Sequence, residues 1–493
     1  MGEFDWRDEL ARHPCHRVLL AAPGRAWWAG EIVAELDALC ERLAASRVLA
    51  VLADNGPEWV MADLAAQSAG VVHLPLPAFF TSAQLSHALE RSGADTVLTD
   101  QPERIGALDL GFCLTGRRQG LHWMRRVAAP AALPAGTAKI SFTSGSTGAP
   151  KGVCLSAQGL LDTARAVDER LRGLPLERHL AVLPLALLLE NVAGVYAPLL
   201  RGMAVHLPPL ASLGWRGAAG FDPAGLDRSL RKTRASSVIL VPELLKAWLG
   251  LLQHSGRLAP GSLCFAAVGG ARVASGLLTT ARRAGLPVCQ GYGLTEAGSV
   301  VCLNLPGEAN DGDDVGRPLA HARVEIDDGE VVVRSRGFLG YAGNPVGEGG
   351  VFRTGDLGVL DVRGHLRLAG RRKNLLITSF GRNVAPEWIE SLLLADARVL
   401  QALVTGDGRP SPVALLVPAP GVEARQLGAL VAGVNAGLPD YARIARWRAV
   451  PPFTAADGTA TGNGRPVRSR INQLYAGEIA ALYDNEEPQD ELL

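Results

Sequence analysis

Apolar and polar positions follow two alternating periods along the first part of the chain. Residues 47–53 form a continuous apolar run that predicts a buried strand, and residues 59–69 follow with helical spacing. An apolar run at 71–75, a helical pattern at 85–92 and a strand at 96–99 continue the series. Because helices that connect parallel strands cover both faces of a sheet, this alternation predicts an α/β fold.

The same alternation resumes near residue 230 and then gives way to a different pattern. Strands are predicted at 237–241 and 264–268, with a helix at 243–252 between them. From about residue 314 onward, short alternating strands such as 324–326 and 330–334 are separated by glycine and aspartate. This second pattern predicts an antiparallel, barrel-like part within the same large domain.

A compact α+β pattern begins after Lys373. It includes a helix at 386–395 and a strand at 402–405. We therefore expect a large N-terminal domain of layered α/β subdomains at 1–372 and a small, mobile α+β domain at 374–493. The length of 493 residues fits this division, because single hydrophobic cores stop growing beyond roughly 250–300 residues.

Composition excludes several classes of protein. Hydrophobic residues make up 48% of the chain and charged residues 20%, which indicates a folded protein rather than a disordered one. The formal net charge is zero, so we expect no nucleic-acid partner. The stretch 180–200 is the most apolar, but Pro184 and Glu190 interrupt it, so we expect no transmembrane segment. The polar N-terminal residues contain no apolar signal core, so we expect a cytoplasmic protein.

Cysteine and lysine usage narrow the chemistry further. The seven cysteines are scattered and form no CxxC pair, which argues against a zinc site or a disulfide framework. Arginine supplies 44 of the 49 basic residues, and the five lysines are Lys139, Lys151, Lys232, Lys246 and Lys373. Because arginine cannot replace a compact ammonium donor everywhere, each of these lysines is a candidate for a specific role.

The segment 140–152, ISFTSGSTGAPKG, carries the sharpest chemical signal. Glycines let a backbone approach an anion closely, and hydroxyl groups, successive N–H groups and a lysine supply donors and charge. A flexible linker is the alternative, but a linker does not need Pro-Lys-Gly before an apolar strand. The predicted phosphate-binding residues are Thr143, Ser144, Gly145, Ser146, Thr147, Gly148 and Lys151.

This loop resembles the phosphate-binding signature of the adenylate-forming superfamily, which includes acyl-CoA synthetases, peptide-synthetase adenylation domains and firefly luciferase. The segment 291–296, GYGLTE, is similar to a second signature of that family. The resemblance implies that Tyr292 stacks on adenine and that Glu296 holds Mg²⁺. Taken alone, the segment also fits a turn followed by a capped helix. The other residues implied at the nucleotide are Gly269, Gly270, Ala271, Gly291, Gly293 and Thr295.

Two later segments resemble further signatures of the same family. In 352–357, FRTGDL, the resemblance implies that Asp356 accepts the ribose hydroxyls, although Gly-Asp alone usually marks a turn. In 370–374, GRRKN, it implies that Arg371 contacts the ribose and phosphate and that Lys373 is the hinge between the domains.

The last signature departs from the family. In 461–468, TGNGRPVR, Arg465 stands where the family has the lysine that reaches the acyl carboxylate and the α-phosphate. One interpretation is a drift from lysine to arginine with activity retained. The other is a weakened first half-reaction, because a planar guanidinium does not reproduce an ammonium point charge.

A second departure lies in 183–191, LPLALLLEN. Leu187 occupies the position of a family histidine, and Glu190 matches a family glutamate at the acyl pocket. Leu187 would make that wall apolar, which favours an aliphatic acyl group over an amino acid. A core helix without a role in the pocket is the alternative.

The resemblance implies ATP- and Mg²⁺-dependent activation of a carboxylic acid, with Lys151, Glu296 and Arg465 as the catalytic residues. The leading hypothesis is a medium- or long-chain fatty acyl-CoA synthetase. The alternatives are a ligase that loads an acyl carrier protein and a catalytically weakened nucleotide-binding homologue. The thiol acceptor is coenzyme A or a phosphopantetheine arm. The sequence decides neither the acyl chain nor the acceptor nor the oligomeric state.

Overall fold

A computed structural model describes residues 4–143, 150–216, 220–308, 314–344, 350–461 and 464–484. The strands before residue 300 are β1 (Val18–Ala22), β2 (Arg25–Trp28), β3 (Val48–Leu52), β4 (Val72–Pro75), β5 (Thr96–Thr99), β6 (Cys113–Arg118), β7 (Leu121–Arg125), β8 (Thr137–Thr143), β9 (Lys151–Ser156), β10 (Arg178–Leu180), β11 (Ala204–His206), β12 (Trp215–Arg216), β13 (Gly220–Phe221), β14 (Ser237–Leu240), β15 (Phe265–Val268), β16 (Val288–Leu294) and β17 (Ser299–Leu303).

The later strands are β18 (Arg317–Pro318), β19 (Arg323–Asp327), β20 (Glu330–Arg334), β21 (Phe338–Tyr341), β22 (Val351–Leu360), β23 (Leu366–Arg371), β24 (Leu376–Ile377), β25 (Asn383–Val384), β26 (Val399–Thr405), β27 (Val413–Pro418) and β28 (Arg446–Ala449). The α-helices are α1 (Trp6–Leu10), α2 (Ala29–Leu43), α3 (Pro57–Ser68), α4 (Ser82–Ser92), α5 (Pro102–Gly106), α6 (Ala157–Arg170), α7 (Ala197–Arg201), α8 (Pro223–Thr233), α9 (Pro242–Ser255), α10 (Ser275–Arg283), α11 (Pro386–Leu394), α12 (Ala424–Ala436), α13 (Arg468–Leu474) and α14 (Ala476–Asp484).

Shorter helices complete the described secondary structure. One π-helix spans Glu190–Tyr196, and 3₁₀ helices span Leu210–Leu213, Thr295–Ala297, Arg372–Asn374 and Asp440–Ala442. The π-helix runs directly into α7, and such helices often mark functional sites because they displace side chains from the regular helical positions.

Two large sheets form the first part of the chain. One has nine strands in the order β18-β17-β16-β15-β14-β10-β11-β1-β2, and the six strands from β16 to β1 run parallel. The other has eight strands in the order β21-β9-β8-β4-β3-β5-β7-β6, with β8, β4, β3 and β5 parallel. Helices connect the parallel strands, which is the α/β architecture that the alternating pattern predicts.

The remaining sheets are antiparallel or mixed. Strands β19, β20, β22 and β23 form a four-stranded antiparallel sheet with β19 and β23 at its edges. Within the described residues this sheet is open, and it forms the antiparallel part that the sequence predicts. After β23 the chain forms a β24–β25 ribbon and a three-stranded sheet, β26-β27-β28, against which α11 packs.

Local sequence explains the elements that border the site. All five residues of β3 are buried, which agrees with its uninterrupted apolar run. Helix α9 has Pro242 at its first turn, where the missing N–H is not needed, and it ends at Gly256 with a φ of +64°. The predicted strands at 47–53, 71–75 and 96–99 are confirmed as β3, β4 and β5.

Three local interpretations are wrong. The segment 291–294 continues β16 and pairs with β17, so it is not a turn before a capped helix. The segment 352–357 lies inside β22, so its Gly-Asp pair is not a turn. The segment 183–191 is not a regular core helix, because it ends by entering the π-helix. In the first two cases, pairing with other strands rather than local propensity sets the conformation.

None of the described helices is both long enough and apolar enough to span a lipid bilayer.

A cluster of polar side chains lies in the interior of the first part of the chain. Asp63 on α3 and Lys139 on β8 are fully buried, with Lys139 Nζ 2.8 Å from Asp63 Oδ1. The Tyr196 hydroxyl donates to Asp63 Oδ2 at 2.7 Å, and Asn191 Nδ2 donates to the same oxygen at 2.7 Å. His73 Nδ1 lies 2.7 Å from Asp63 Oδ1. The cluster therefore joins the second sheet to the π-helix.

Opposing effects set the ionisation of this cluster. Burial alone would raise the pKa of Asp63, but Lys139 and His73 outweigh it and hold that pKa well below its usual range. Burial lowers the pKa of Lys139, and Asp63 opposes that shift. Asp63 therefore remains a carboxylate that needs its cation.

We predict that Lys139→Met destabilises the protein by about 3–5 kcal/mol, because it leaves the Asp63 carboxylate buried without a cation. Urea-induced unfolding followed by circular dichroism gives the measurement. Lys232→Met is the matched control, since Lys232 lies exposed on α8. Equal unfolding midpoints for the two variants would show that the cluster does not depend on the ammonium group.

Candidate active site

The predicted phosphate loop connects two paired strands. Strand β8 ends at Thr143 and β9 begins at Lys151, and these two residues are partners in the ladder. Thr143 and Pro150 line a cavity of about 1810 Å³. The predicted phosphate ligands Ser144, Gly145, Ser146, Thr147 and Gly148 lie outside the described residues.

Lys151 and Glu296 are brought together through an aromatic side chain. The Tyr341 hydroxyl donates to Glu296 Oε1 at 3.2 Å, and Lys151 Nζ lies 5.6 Å from the centre of the Tyr341 ring. Tyr341 belongs to β21, which pairs with β9. An ammonium group and a carboxylate thus lie beside the base of the phosphate loop. No sequence motif singled out Tyr341, because its place depends on this strand pairing.

Three residues from separate signatures form one hydrogen-bonded unit. Asp356 on β22 is the ladder partner of Arg371 on β23, and Arg371 Nε lies 2.8 Å from Asp356 Oδ1. The Tyr292 hydroxyl donates to Asp356 Oδ2 at 2.6 Å. Burial raises the pKa of Asp356, and Arg371 and Tyr292 oppose that rise. Burial and Asp356 together raise the pKa of Tyr292 far above its ordinary value.

Glycines allow the nearby backbone segments to pack closely. Gly269 and Gly270 follow β15, and a Cβ on Gly269 would lie 3.3 Å from the Gly291 carbonyl oxygen. A Cβ on Gly293 would lie 1.6 Å from the Ser299 carbonyl oxygen, so the β16–β17 pairing requires glycine there. The cavity lining includes Gly269, Gly270, Ala271, Gly291, Tyr292, Gly293, Thr295 and Glu296.

Arg465 reaches this cavity from the small domain. The Thr461 hydroxyl accepts the Arg465 N–H at 3.1 Å, and Gly464 N–H donates to the Thr461 carbonyl, which forms a turn. The Arg465 guanidinium donates to the Gly270 carbonyl oxygen. Although much of the residue is exposed, desolvation of its guanidinium lowers the pKa of Arg465, and Glu243 opposes the shift. The arginine therefore points its charge at the segment predicted to border adenine.

The rest of the last signature anchors that turn. Arg468 forms an ion pair with Glu390, and its Nη1 donates to the Val404 carbonyl at 3.1 Å. Glu390 is buried and accepts the Val404 N–H at 2.7 Å. Arg468 and Glu390 are thus structural residues of the small domain.

Lys373 lies at the junction of the two parts of the chain. It belongs to the 3₁₀ helix Arg372–Asn374, which follows β23 directly. Burial, Arg371 and Lys151 lower the pKa of Lys373, while Asp356 and Glu387 oppose this. Lys373 therefore lies close to the charged residues of the site.

The wall predicted for the acyl group is apolar. Six residues that line the cavity and come from the segments after β10 and along β17 are Leu183, Leu185, Leu187, Leu188, Val300 and Leu303. Leu187 is among the residues that line the cavity. His179 and Ser237 also line the cavity.

Glu190 has a different place from the one predicted. It is fully buried and is absent from the cavity lining in the described part of the chain. Its Oε1 lies 2.8 Å from His179 Nε2, and its Oε2 accepts the Leu183 N–H at 2.9 Å. The Ser237 hydroxyl lies 3.0 Å from His179 Nδ1. Glu190 thus lies outside the lining and positions two residues of the wall, His179 and Leu183. A Cβ on Gly194 would lie 2.1 Å from Glu190 Oε1, so this packing depends on glycine.

Two family models match the chain. One, described as AMP-binding enzyme, matches residues 9–349, and the other, described as AMP-binding enzyme C-terminal domain, matches residues 373–487.

Curated relatives match over most of their length. A long-chain-fatty-acid–CoA ligase, FadD15, of Mycobacterium bovis is 28% identical, over 87% of this chain and 86% of the relative. A 2-succinylbenzoate–CoA ligase of Bacillus velezensis is 28% identical over 70% of each chain.

Solved structures share the fold. The o-succinylbenzoate CoA synthetase of Bacillus subtilis, in complex with its acyl-adenylate intermediate, superposes with a TM-score of 0.78 at 22% identity, covering 99% of both chains. The anthranilate CoA ligase AuaEII, in complex with anthranoyl-AMP, superposes with a TM-score of 0.79 at 18% identity, covering 97% of this chain and 98% of the other.

Proposed function

Because the chain belongs to the AMP-binding enzymes of the adenylate-forming superfamily, we propose that it converts a medium- or long-chain fatty acid to its acyl-adenylate and then to a coenzyme A thioester. The chain is an acid–thiol ligase. Both the choice of a fatty acid and the choice of coenzyme A belong to the proposal.

The observation that carries the proposal is the apolar wall of the cavity beside Arg465. An aliphatic chain placed along Leu187 and Leu188 would leave water without burying an unpaired polar group. An ammonium group placed against the same leucines would have no partner there, and an unpaired buried charge is costly. His179 contacts Ser237 through Nδ1 and Glu190 through Nε2, so both of its ring nitrogens already have partners.

The residues present fit the Mg²⁺ that accompanies ATP in this family. Among the described residues, no group of three or more His, Cys, Asp or Glu side chains forms a metal cage. Mg²⁺ is usually held by one or two carboxylates together with substrate phosphates and water. Glu296, fixed by the Tyr341 hydroxyl, would be the protein ligand, and the ion would neutralise phosphate charge.

In the first half-reaction, a carboxylate oxygen of the acid attacks the α-phosphorus of ATP. The bond from that phosphorus to the bridging oxygen breaks, and pyrophosphate leaves, which gives the acyl-AMP anhydride. The attack brings two anions together, so the protein's part is positioning and cationic charge. Lys151 would hold the leaving phosphates, and Asp356 with Arg371 would hold the ribose.

Arg465 would supply the cation that the family lysine supplies. A guanidinium can contact a carboxylate and a phosphate oxygen at once through two N–H groups. In the structure one of these groups is held by the Gly270 carbonyl, so the side chain already points into the cavity. This supports the interpretation that activity is retained with arginine.

In the second half-reaction, the thiolate sulfur attacks the acyl carbon, the bond to the phosphate oxygen breaks, and AMP leaves. We propose that Lys373 is the hinge about which the small domain, residues 374–493, rotates away from residues 1–372 for this step. Coenzyme A and a carrier protein present the same phosphopantetheine thiol, so the assay has to separate them.

We expect straight-chain acids from octanoate to palmitate to give the fastest pyrophosphate release in a panel that also contains benzoate, 2-succinylbenzoate and free amino acids. Coenzyme A should accelerate steady-state pyrophosphate release because it consumes the adenylate. Phosphopantetheinylated carrier protein should not accelerate it. Lys151→Ala should lower release by orders of magnitude with every acid, because one positioned cation is lost.

An amino acid or an aromatic acid as the best substrate would contradict the proposed acyl group. If only the carrier protein accelerates release, the acceptor is the phosphopantetheine arm of a carrier protein rather than coenzyme A. Absence of release with every acid would identify a weakened homologue.

We predict that Arg465→Ala slows single-turnover formation of acyl-AMP by about 10²–10³-fold while ATP affinity changes little, because the contact serves the reacting state. Arg465→Lys should be active and at least as fast as the wild type. Rapid quench and mass spectrometry measure the adenylate.

Arg425→Ala is the control for the Arg465 variants, since Arg425 is an exposed arginine of the small domain on α12. A wild-type rate for Arg465→Ala would remove the residue from the chemistry. Adenylate formation by Arg465→Lys but not by the wild type would show that the first half-reaction is lost at this position.

A further inference from the structure

Lys246 connects the two parts of the chain. It lies on α9 in the large domain, and its ammonium group donates to three backbone carbonyls of the small domain. The oxygens are those of Leu394 at 2.7 Å, Asp396 at 2.6 Å and Val399 at 2.9 Å. These carbonyls belong to the last residue of α11, the turn that follows and the start of β26.

The chemistry of this contact suits a lysine. The last carbonyls of a helix have no partner within the helix, and they carry the negative end of its dipole. An ammonium group has three donors in a compact arrangement, which matches the three carbonyl oxygens, whereas the flat fork of arginine does not. Lys246 is one of only five lysines in a chain that otherwise uses arginine.

The carboxylate of Asp396 is engaged by another side chain, so the Lys246 ammonium group binds the carbonyl oxygens instead. The carboxylate of Asp396 is bound by Arg398, with Nη2 2.8 Å from Oδ2 and Nε 2.9 Å from Oδ1. Ala395, between two of the acceptor residues, packs against the apolar cluster around α9 that includes Leu245 and Trp248. The contact therefore combines three hydrogen bonds with apolar packing.

Lys246 and Arg465 define the same orientation of the small domain. Arg465 extends from the small domain to the Gly270 carbonyl, while Lys246 extends from the large domain to the end of α11. Leu394 and Lys246 both border the cavity that Arg465 enters. A rotation that withdraws Arg465 would also have to separate Lys246 from its three acceptors, because both contacts cross between the same two bodies.

We propose that Lys246 is a positioning residue that holds the small domain in the orientation for acyl-adenylate formation and that it releases α11 before the thiol step. This inference rests on the proposed function for its two half-reactions. Lys246 acts through Arg465 and touches no reacting atom. Loss of its charge should slow the first half-reaction and leave the second unchanged or faster.

The test compares Lys246→Met with Lys232→Met, an exposed lysine of α8 whose loss changes the net charge equally. The first measurement is single-turnover acyl-AMP formation from ATP and the best acid. The second is thioester formation from chemically made acyl-AMP and coenzyme A. Lys246→Met should slow the first by about tenfold or more, as expected for lost charge-assisted hydrogen bonds, and should not slow the second.

A double variant distinguishes a positioning role of Lys246 from a general loss of folded structure. In an Arg465→Ala background, Lys246→Met should slow adenylate formation by less than about threefold, because the contact that it positions is already absent. Equal slowing of both half-reactions, or the same slowing with and without Arg465, would overturn the proposal.

Hydrogen–deuterium exchange tests the contact without any activity. In the ligand-free protein, amides 395–400 should exchange faster in Lys246→Met than in the wild type, and Lys232→Met should leave them unchanged. Unchanged exchange in Lys246→Met would contradict the contact itself. Faster exchange in Lys246→Met, together with a wild-type protein that forms no adenylate, would leave the contact in place and overturn the proposed function instead. Lys246→Gln, which keeps donors without the charge, replaces Lys246→Met if that variant fails to fold.

Discussion

The buried carboxylate of Asp63 constrains both ends of the candidate active site. It binds Lys139 on β8, four residues before that strand ends at Thr143, and it also binds Asn191 and Tyr196 on the π-helix. That helix supplies Ala193 to the wall of the cavity. Because a buried polar network is costly when any member lacks a partner, a shift of the strand must be matched by a shift of the helix. The phosphate end and the acyl end are thereby held in one geometry.

The small domain adds one more cation, Arg465, to Lys151 and Arg371 of this rigid framework. The framework provides Asp356, Tyr292 and Glu296, which are suited to the ribose and to the ion that accompanies ATP. The attack of a carboxylate on a phosphate needs positive charge at the reacting atoms, and in the proposed mechanism Arg465 would bring it when the domains are docked. A contact of this kind can be made and broken between half-reactions, whereas the Asp63 cluster cannot, because opening it would expose an unpaired charge to an apolar interior.

Sequence patterns predicted the elements whose residues all lie in the same surroundings, such as a strand that is buried on both faces. Strand β3 is an example, because five buried residues in a row produce an apolar run that needs no knowledge of its neighbours. The extended conformation of residues 291–294, which include Tyr292, was not predicted, because the glycines there gain it from pairing with β17. The family resemblance implied that Tyr292, Asp356 and Arg371 contact one nucleotide, and the structure joins their side chains in one hydrogen-bonded unit. Tyr341 and the partners of Glu190 and Lys246 left no local signal, because they lie on elements that are distant in sequence.

The transfer of an oxygen atom from the acid to AMP tests the central claim most directly. A fatty acid labelled with oxygen-18 in its carboxyl group is incubated with ATP, Mg²⁺, coenzyme A and the protein, and the products are analysed by mass spectrometry. Attack of the carboxylate on the α-phosphorus places one labelled oxygen in AMP, and thiol attack on the acyl carbon leaves it there. The account predicts AMP that carries one oxygen-18 for each thioester formed. Unlabelled AMP, or label in inorganic phosphate, would contradict activation through an acyl-adenylate.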